Sequence, residues 1–173
     1  MKKIFFYLFI FILLFLSKVH ANNNVAFIDI DYLINNSLIG KKIISKIEAE
    51  DKKNIQVLKD KETKLKNTEN DIKKKQNIIS KDELDKEIDA LKKNIANFRA
   101  EKNKMVKEFT KFKNDEIKKI LLQFNEVIKE YMSKNSISIV FDKKNIYIGK
   151  SSNDITNDLL KEINNKFKWL WIN

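Results

Sequence analysis

Histidine occurs once in this chain, at His20, and cysteine does not occur. If His20 is removed with the leader described below, no imidazole and no thiol remain. The usual general base, the reactive thiolate, the disulfide and the common transition-metal ligands then all lack their residues. Gly40 and Gly149 are the only glycines and proline is absent, so no glycine-rich loop can wrap backbone N–H groups around a phosphate. What is left is 24 carboxylates against 35 basic side chains, a formal +11. That inventory suits ion pairing and long-range attraction to acidic partners such as nucleic acid, anionic lipid or acidic proteins. We expect a protein that is not an enzyme and uses neither cofactor nor metal.

Residues 1–21 read as a secretory signal peptide. Lys2 and Lys3 precede an unbroken apolar run, Ile4 to Leu16, and Val19 and Ala21 place small residues before a cleavage point at Asn22. The alternative is an uncleaved anchor, but the run is short of the roughly 20 apolar residues that span a bilayer. Cleavage would leave 32 basic and 24 acidic side chains, a formal +8. With no cysteine to take a lipid, the mature chain is expected to be soluble outside the cytoplasm.

The elements that position the charged side chains are two long helices. From Leu84 apolar residues recur in alternating steps of four and three: Leu84, Ile88, Leu91, Ile95, Phe98, Met105, Phe109 and Phe112, with Lys102 the one polar member. This 3.5-residue repeat predicts a helix over 80–131 with a narrow coiled-coil seam, about 75 Å long. Past Phe112 the stripe shifts and widens through Ile117, Ile120 or Leu121, Phe124, and Val127 or Ile128. A second helix is predicted from Gly40. Its seam runs Ile55, Leu58, Glu62, Leu65, Glu69, Ile72, Gln76 and Ile79, with one set of alternate positions apolar throughout and the other polar after Ile55. Ser80 followed by Glu83 is a capping box, and it marks the tip of an antiparallel hairpin near 77–83. Pairing residues whose numbers sum to about 160 sets Ile55 on Met105, Leu65 on Ile95 and Ile72 on Ile88. It also puts a polar residue in about half the layers, predicting arms that pair weakly.

The arm, 41–131, leaves two flanks, 22–40 and 132–173, to form a small body. Val25 to Ile30 reads as a buried strand, and Asp31 to Ile34 as a helical turn. Ile137 to Phe141 and Ile146 to Ile148 read as the strands of a hairpin around Asp142–Asn145. Asn153 or Asp154 caps a last helix carrying Ile155, Leu159, Leu160 and Ile163. The aromatic end, Phe167 to Ile172, either covers the core or forms a contact site. The fold class is α+β. Three short strands bury too little to stand alone, so self-association through Val25, Phe27, Ile28, Ile30, Ile137, Ile139, Val140, Phe141, Ile146, Tyr147 and Ile148 is expected.

The order of these segments resembles the Skp (OmpH-like) family of periplasmic chaperones. The carriers are Val25-Ala26-Phe27-Ile28-Asp29-Ile30, Ile137 to Asp142 with Ile146-Tyr147-Ile148, and Asp154 to Leu160, set around a Lys-rich helical hairpin. The resemblance implies a jellyfish-like homotrimer with a barrel-like β base. Its three arms would hold unfolded outer-membrane proteins in a cavity, without ATP. The tail from Lys166 to Asn173 departs from the family by extending past its usual end. No motif here matches a lipopolysaccharide-binding set, so contact with lipopolysaccharide or anionic lipid is expected to be weak at most.

In that reading Lys73, Lys74, Lys75, Lys86, Lys92 and Lys93 steer acidic chains, and Val57, Ile78, Val106 and Ile117, off the seam, touch clients. The bland alternative for the lysines is a solvated helix face, and for the seam it is arm-on-arm packing. A structural or adaptor coiled coil of the envelope is the competing function. Nucleic-acid binding is disfavoured by the leader and by the lack of a reading motif.

Overall fold

Short polar side chains set the limits of the helices. The computed structural model describes residues 24–168; the predicted leader and the aromatic residues from Trp169 onward lie outside them. Strand β1 (Asn24–Ile28) runs into helix α1 (Ile30–Asn36), whose cap Asp29 accepts the Tyr32 N–H at 2.8 Å. Ser37 closes α1 and opens α2 (Leu38–Lys75). Its N–H donates to the Leu33 carbonyl at 2.9 Å, while its buried hydroxyl accepts the Gly40 N–H at 3.1 Å. Asn164 adds a second cap from across the body, accepting the Leu38 N–H at 2.8 Å. The helix therefore starts two residues before Gly40, the start read from the sequence. Gly40 is needed for a different reason: a Cβ there would lie 1.9 Å from the Ile34 carbonyl oxygen. Helix α1 turns into α2 too tightly for any side chain at that point.

Helix α3 (Lys81–Lys134) begins with the predicted capping box. Ser80 Oγ accepts the Glu83 N–H, and the Glu83 carboxylate accepts the Ser80 N–H at 3.2 Å. Neither α2 nor α3 is interrupted, so they form an antiparallel hairpin whose tip is residues 76–80. At its far end α3 stops at Asn135, and Ser136 takes a left-handed backbone (φ 54°) that turns the chain into strand β2 (Ile137–Asp142).

Strands β1 and β2 pair in parallel, with Val25 beside Ile139, Ala26 beside Val140 and Phe27 beside Phe141. The whole hairpin is the crossover that a parallel pair requires. The pleat then divides the side chains between two faces. Ala26 and Ile28 enter the main core with Leu33, Ile39, Ile120, Phe124, Val127, Leu159, Ile163 and Phe167. Ile120, Leu159 and Ile163 are fully buried. Ile155, Leu159, Ile163 and Phe167 come from the last helix, α4 (Thr156–Lys166), and the residues bordering it. Phe167, the described member of the aromatic end, is a core residue.

The third predicted strand does not form. Residues 143–145 make a short 3-10 turn and 146–148 are irregular, so Ile137–Asp142 and Ile146–Ile148 are not a hairpin. Two ion pairs tie the start of this segment to the body: Lys143 with Asp154 at 2.9 Å and Lys144 with Asp31 at 2.6 Å. The free side of β1 is met instead at Asp154, where the Ile155 N–H donates to the Phe27 carbonyl at 3.1 Å. Alternation of Ile, Tyr and Ile at 146–148 suggested a strand, but those residues make no ladder.

Gly40→Ala should lower the unfolding free energy by about 3 kcal/mol, because the added methyl must displace backbone rather than a flexible side chain. Urea unfolding followed by circular dichroism measures it; an unchanged midpoint would refute the close-approach account.

Candidate client-binding arm and association face

The arm is held by side chains of mixed character. Lys46 with Glu116, Lys61 with Glu101, and Lys75 with Glu87 bridge α2 and α3, and each pair of numbers sums to 162 rather than 160. Leu65 shares a groove of about 320 Å³ with Phe98, and Ile72 shares one with Leu91. The steps of seven through Leu58, Leu65, Ile72 and Ile79 are kept. The alternate positions move by one residue: Asn54, Lys61, Thr68 and Lys75 line the seam grooves, where Ile55, Glu62, Glu69 and Gln76 were expected. Ile55 is 56% exposed, and its assignment to the seam is corrected. The physical reason lies in the lysines. Their aliphatic stems can cover apolar neighbours while the ammonium reaches a glutamate on the other helix, which the expected Glu62 and Glu69 cannot do.

The remaining seam residues differ in burial. Leu58, Leu65, Leu84, Ile88, Leu91, Ile95, Phe98, Met105, Phe109 and Phe112 are half-buried, and Ile72 is buried. Lys102 is exposed. Among residues read as off the seam, Ile78 at the tip (82% exposed) and Val106 (53%) face solvent, whereas Val57 and Ile117 are half-buried. Lys73, Lys74 and Lys92 pair within their own helices with Glu69, Asp71 and Asp89, and Lys75 crosses to Glu87. Lys86 and Lys93 are exposed. Exposed pairs of this kind contribute little to stability, so the lysine charge stays largely available at the surface.

Glu116 is the feature that periodicity missed. It takes the seam position between Phe112 and Ile120 and is 6% exposed. Its carboxylate accepts from Lys119 at 2.8 Å on its own helix and from Lys46 at 2.9 Å on α2, and the Lys46 ammonium stands 5.4 Å from the Phe112 ring centroid. Bonds from Lys119 first and Lys46 second hold its pKa below the usual carboxylate range against the opposing effect of burial. No pattern of apolar residues could have announced it, though a glutamate on an otherwise apolar stripe is itself a signal.

A second polar knot joins β1 to α4. The Asp29 N–H donates to Thr156 Oγ1 at 2.9 Å, and Asp154 accepts from the Thr156 N–H and hydroxyl and from Lys143. Burial would raise the Asp154 pKa, but these bonds outweigh it and lower the value. Both residues lie in the stretch that carried the family resemblance.

The residues assigned to self-association separate into two groups. Ile28 is in the core, and Ile30, Ile137 and Val140 pack against it. Phe27 is on the opposite face, covered by the segment at Gly149, where a Cβ would meet the Phe27 ring at 2.8 Å; Ile146 is half-buried there. On that face Val25 (39%), Ile139 (47%) and Phe141 (43%) are exposed, and beyond β2 Tyr147 and Ile148 are wholly or nearly so. The face is apolar and the outer edge of β2 has no partner strand among the described residues.

Among the described residues no helix is long and apolar enough to cross a membrane, and no cluster of His, Cys, Asp and Glu could hold a metal ion. The fold is a small α/β body carrying a projecting antiparallel helical hairpin. The model of the family described as outer membrane protein (OmpH-like) matches residues 24–163, and the chain belongs to that family. In fold it is similar to a Caulobacter crescentus CB15 protein provisionally described as an OmpH-like outer membrane chaperone. The TM-score is 0.77 over 84% of this chain and 86% of that one, at 16% identity. No curated protein matches the sequence.

Glu116 has a folded-state pKa below its unfolded value, so its contribution is present above the ordinary carboxylate range and fades as pH falls through the lowered folded value. Glu116→Gln should therefore cost about 1 kcal/mol at neutral pH, discounted for the solvent around both lysines, and converge on the parent in acid. Melting temperatures of both proteins across that range test it; a constant difference down to acid would contradict the assignment.

Proposed function

We propose that the protein is an ATP-independent holdase chaperone of the periplasm. It binds unfolded outer-membrane proteins and keeps them from aggregating before insertion. The observation that carries this reading is the pairing of a long, half-buried helical arm with an exposed apolar face on the body. An arm whose seam alternates apolar and ion-paired layers yields at low cost, so it accommodates clients of different size. Lysines on its flanks attract acidic segments from a distance, while Ile78 and Val106 offer apolar contact, with Val57 and Ile117 uncovered as the arm flexes.

Self-association is the second half of the proposal. Val25, Ile139, Phe141, Tyr147 and Ile148 form an apolar face beside an unpartnered strand edge, a combination that sheet extension between copies would bury. A closed ring of three such bodies sets three arms around one cavity. Family membership and the likeness of fold support this arrangement. Export by a cleaved leader, Met1 to Ala21, places it in the periplasm. Any contact with anionic lipid or lipopolysaccharide is secondary.

Light scattering on the mature protein should give a trimer, and addition of a urea-unfolded outer-membrane barrel protein should give one soluble complex without ATP. A monomer that leaves the client to aggregate would sink the proposal. Phe141→Glu should shift the mass to that of the monomer while the helical circular dichroism signal is kept. A trimer surviving that change would remove the β face from the association.

A further inference from the structure

We infer that Glu116 is a clamp between the two helices at the root of the arm, and that it limits how far the arm splays from the body. The inference concerns a residue that sets the size of client admitted, and in that respect it rests on the holdase reading.

The position is where bending would concentrate. Toward the tip, the apolar residues of the α3 seam from Phe112 to Leu84 are all half-buried. Toward the body, Ile120, Phe124 and Val127 are buried to 3% exposure or less. A rod gripped in a close-packed core at one end and loosely paired along the rest flexes at the boundary, and Glu116 sits on it. Among the described residues it is the one charged side chain that is buried. It is also the one whose carboxylate is tied to both helices, through Lys46 on α2 and Lys119 on α3. The Lys46 ammonium is held a second time over Phe112, the last aromatic of the loose seam. Splaying α2 from α3 at this level would pull Lys46 away from both and leave a carboxylate with one partner in an otherwise apolar layer. That penalty is local, and it falls on a motion that the weak layers above would hardly resist.

Other charges near the knot are on its rim. Asp115, beside Glu116, pairs with Lys111 at 3.2 Å, and Glu50, one turn along α2, lines a groove with Phe109 and Phe112 and lies 3.6 Å from Lys53. Lys42, one turn from Lys46 in the other direction, is exposed. The Glu116 carboxylate accepts from Lys46 and Lys119. The two lysines make different tests, because only the Lys46 bond crosses between helices.

The absence of cysteine allows clean labelling. Thr63→Cys in the arm and Asn157→Cys at the start of α4 would carry spin labels, with labelled chains diluted into unlabelled ones so that any assembly holds one labelled copy. Pulsed dipolar spectroscopy then reads the arm-to-body distance distribution. Glu116→Gln and Lys46→Met should each broaden it, with a roughly fivefold larger splayed population, the low end for a charge-assisted bond whose cation stays in solvent. Lys119→Met should leave it unchanged. If Glu116→Gln fails to fold, Lys46→Met carries the test alone. An unchanged distribution in Lys46→Met, or equal broadening in Lys119→Met, would overturn the clamp. The same variants mixed with unfolded barrel proteins of increasing size should hold larger ones in a soluble complex. A broadened arm without that gain would refute the limit on client size, and failure to hold any client, parent included, would count against the holdase reading while leaving the clamp in place.

Discussion

A two-helix hairpin with a seam one side chain wide leaves most of its surface in water, so it depends on being held at one end. Here the hold is the packing of Ile120, Phe124 and Val127 of α3 against Leu33, Ile39, Leu159 and Ile163. Their burial is complete or nearly so, whereas the seam farther out is half-buried. At about 25 cal/mol per Å² of apolar surface removed from water, the root is where the hydrophobic stabilisation is densest. Helix α3 runs through both regimes without a break, so order imposed at the body is transmitted along the rod by continuous backbone hydrogen bonding.

Polar groups do the joining. Ser37 serves two helices with one side chain, and Gly40 beside it allows the close turn. Thr156 and Asp154 fasten the end of β1 to the start of α4 across more than a hundred residues of sequence. No buried side-chain donor or acceptor is left unpaired among the described residues. In so small a core an unsatisfied group would cost as much as several buried methylenes contribute, and full pairing lets polar residues act as joints instead of flaws.

The same structure is stiff where it must be and yielding elsewhere. The body presents one face to its own core and leaves the other apolar and exposed. The arm carries lysines whose stems fill the seam and whose charges remain outside. Such an arm gains little from any single layer and loses little when one opens, which suits the proposed holding of chains without fixed shape. The glutamate at the root is the exception, since its pairing cannot be loosened without leaving charge in an apolar layer.

The long helices, the capping box at Ser80 and Glu83, the strands at Val25 and Ile137 and the final amphipathic helix were legible in the sequence. Each is specified by local periodicity or by a cap within a few residues. Register was not. An apolar stripe fixes which side of a helix is inward to within one position, but the choice of Lys61 over Glu62 goes with Glu101 on the facing helix. The failed strand at Ile146 to Ile148 had the right residue types and an open β2 edge beside it, but the turn before it is tied to Asp154 and Asp31 through Lys143 and Lys144. The roles of Glu116 and Gly40 were likewise not legible, because one draws its role from a lysine 70 positions away and the other from the close turn between two helices. Sequence by itself determined the elements and their order, since those depend on short-range chemistry. Tertiary structure alone decided the seam, the buried charge and the face left open, since those depend on which distant groups arrive at the same place.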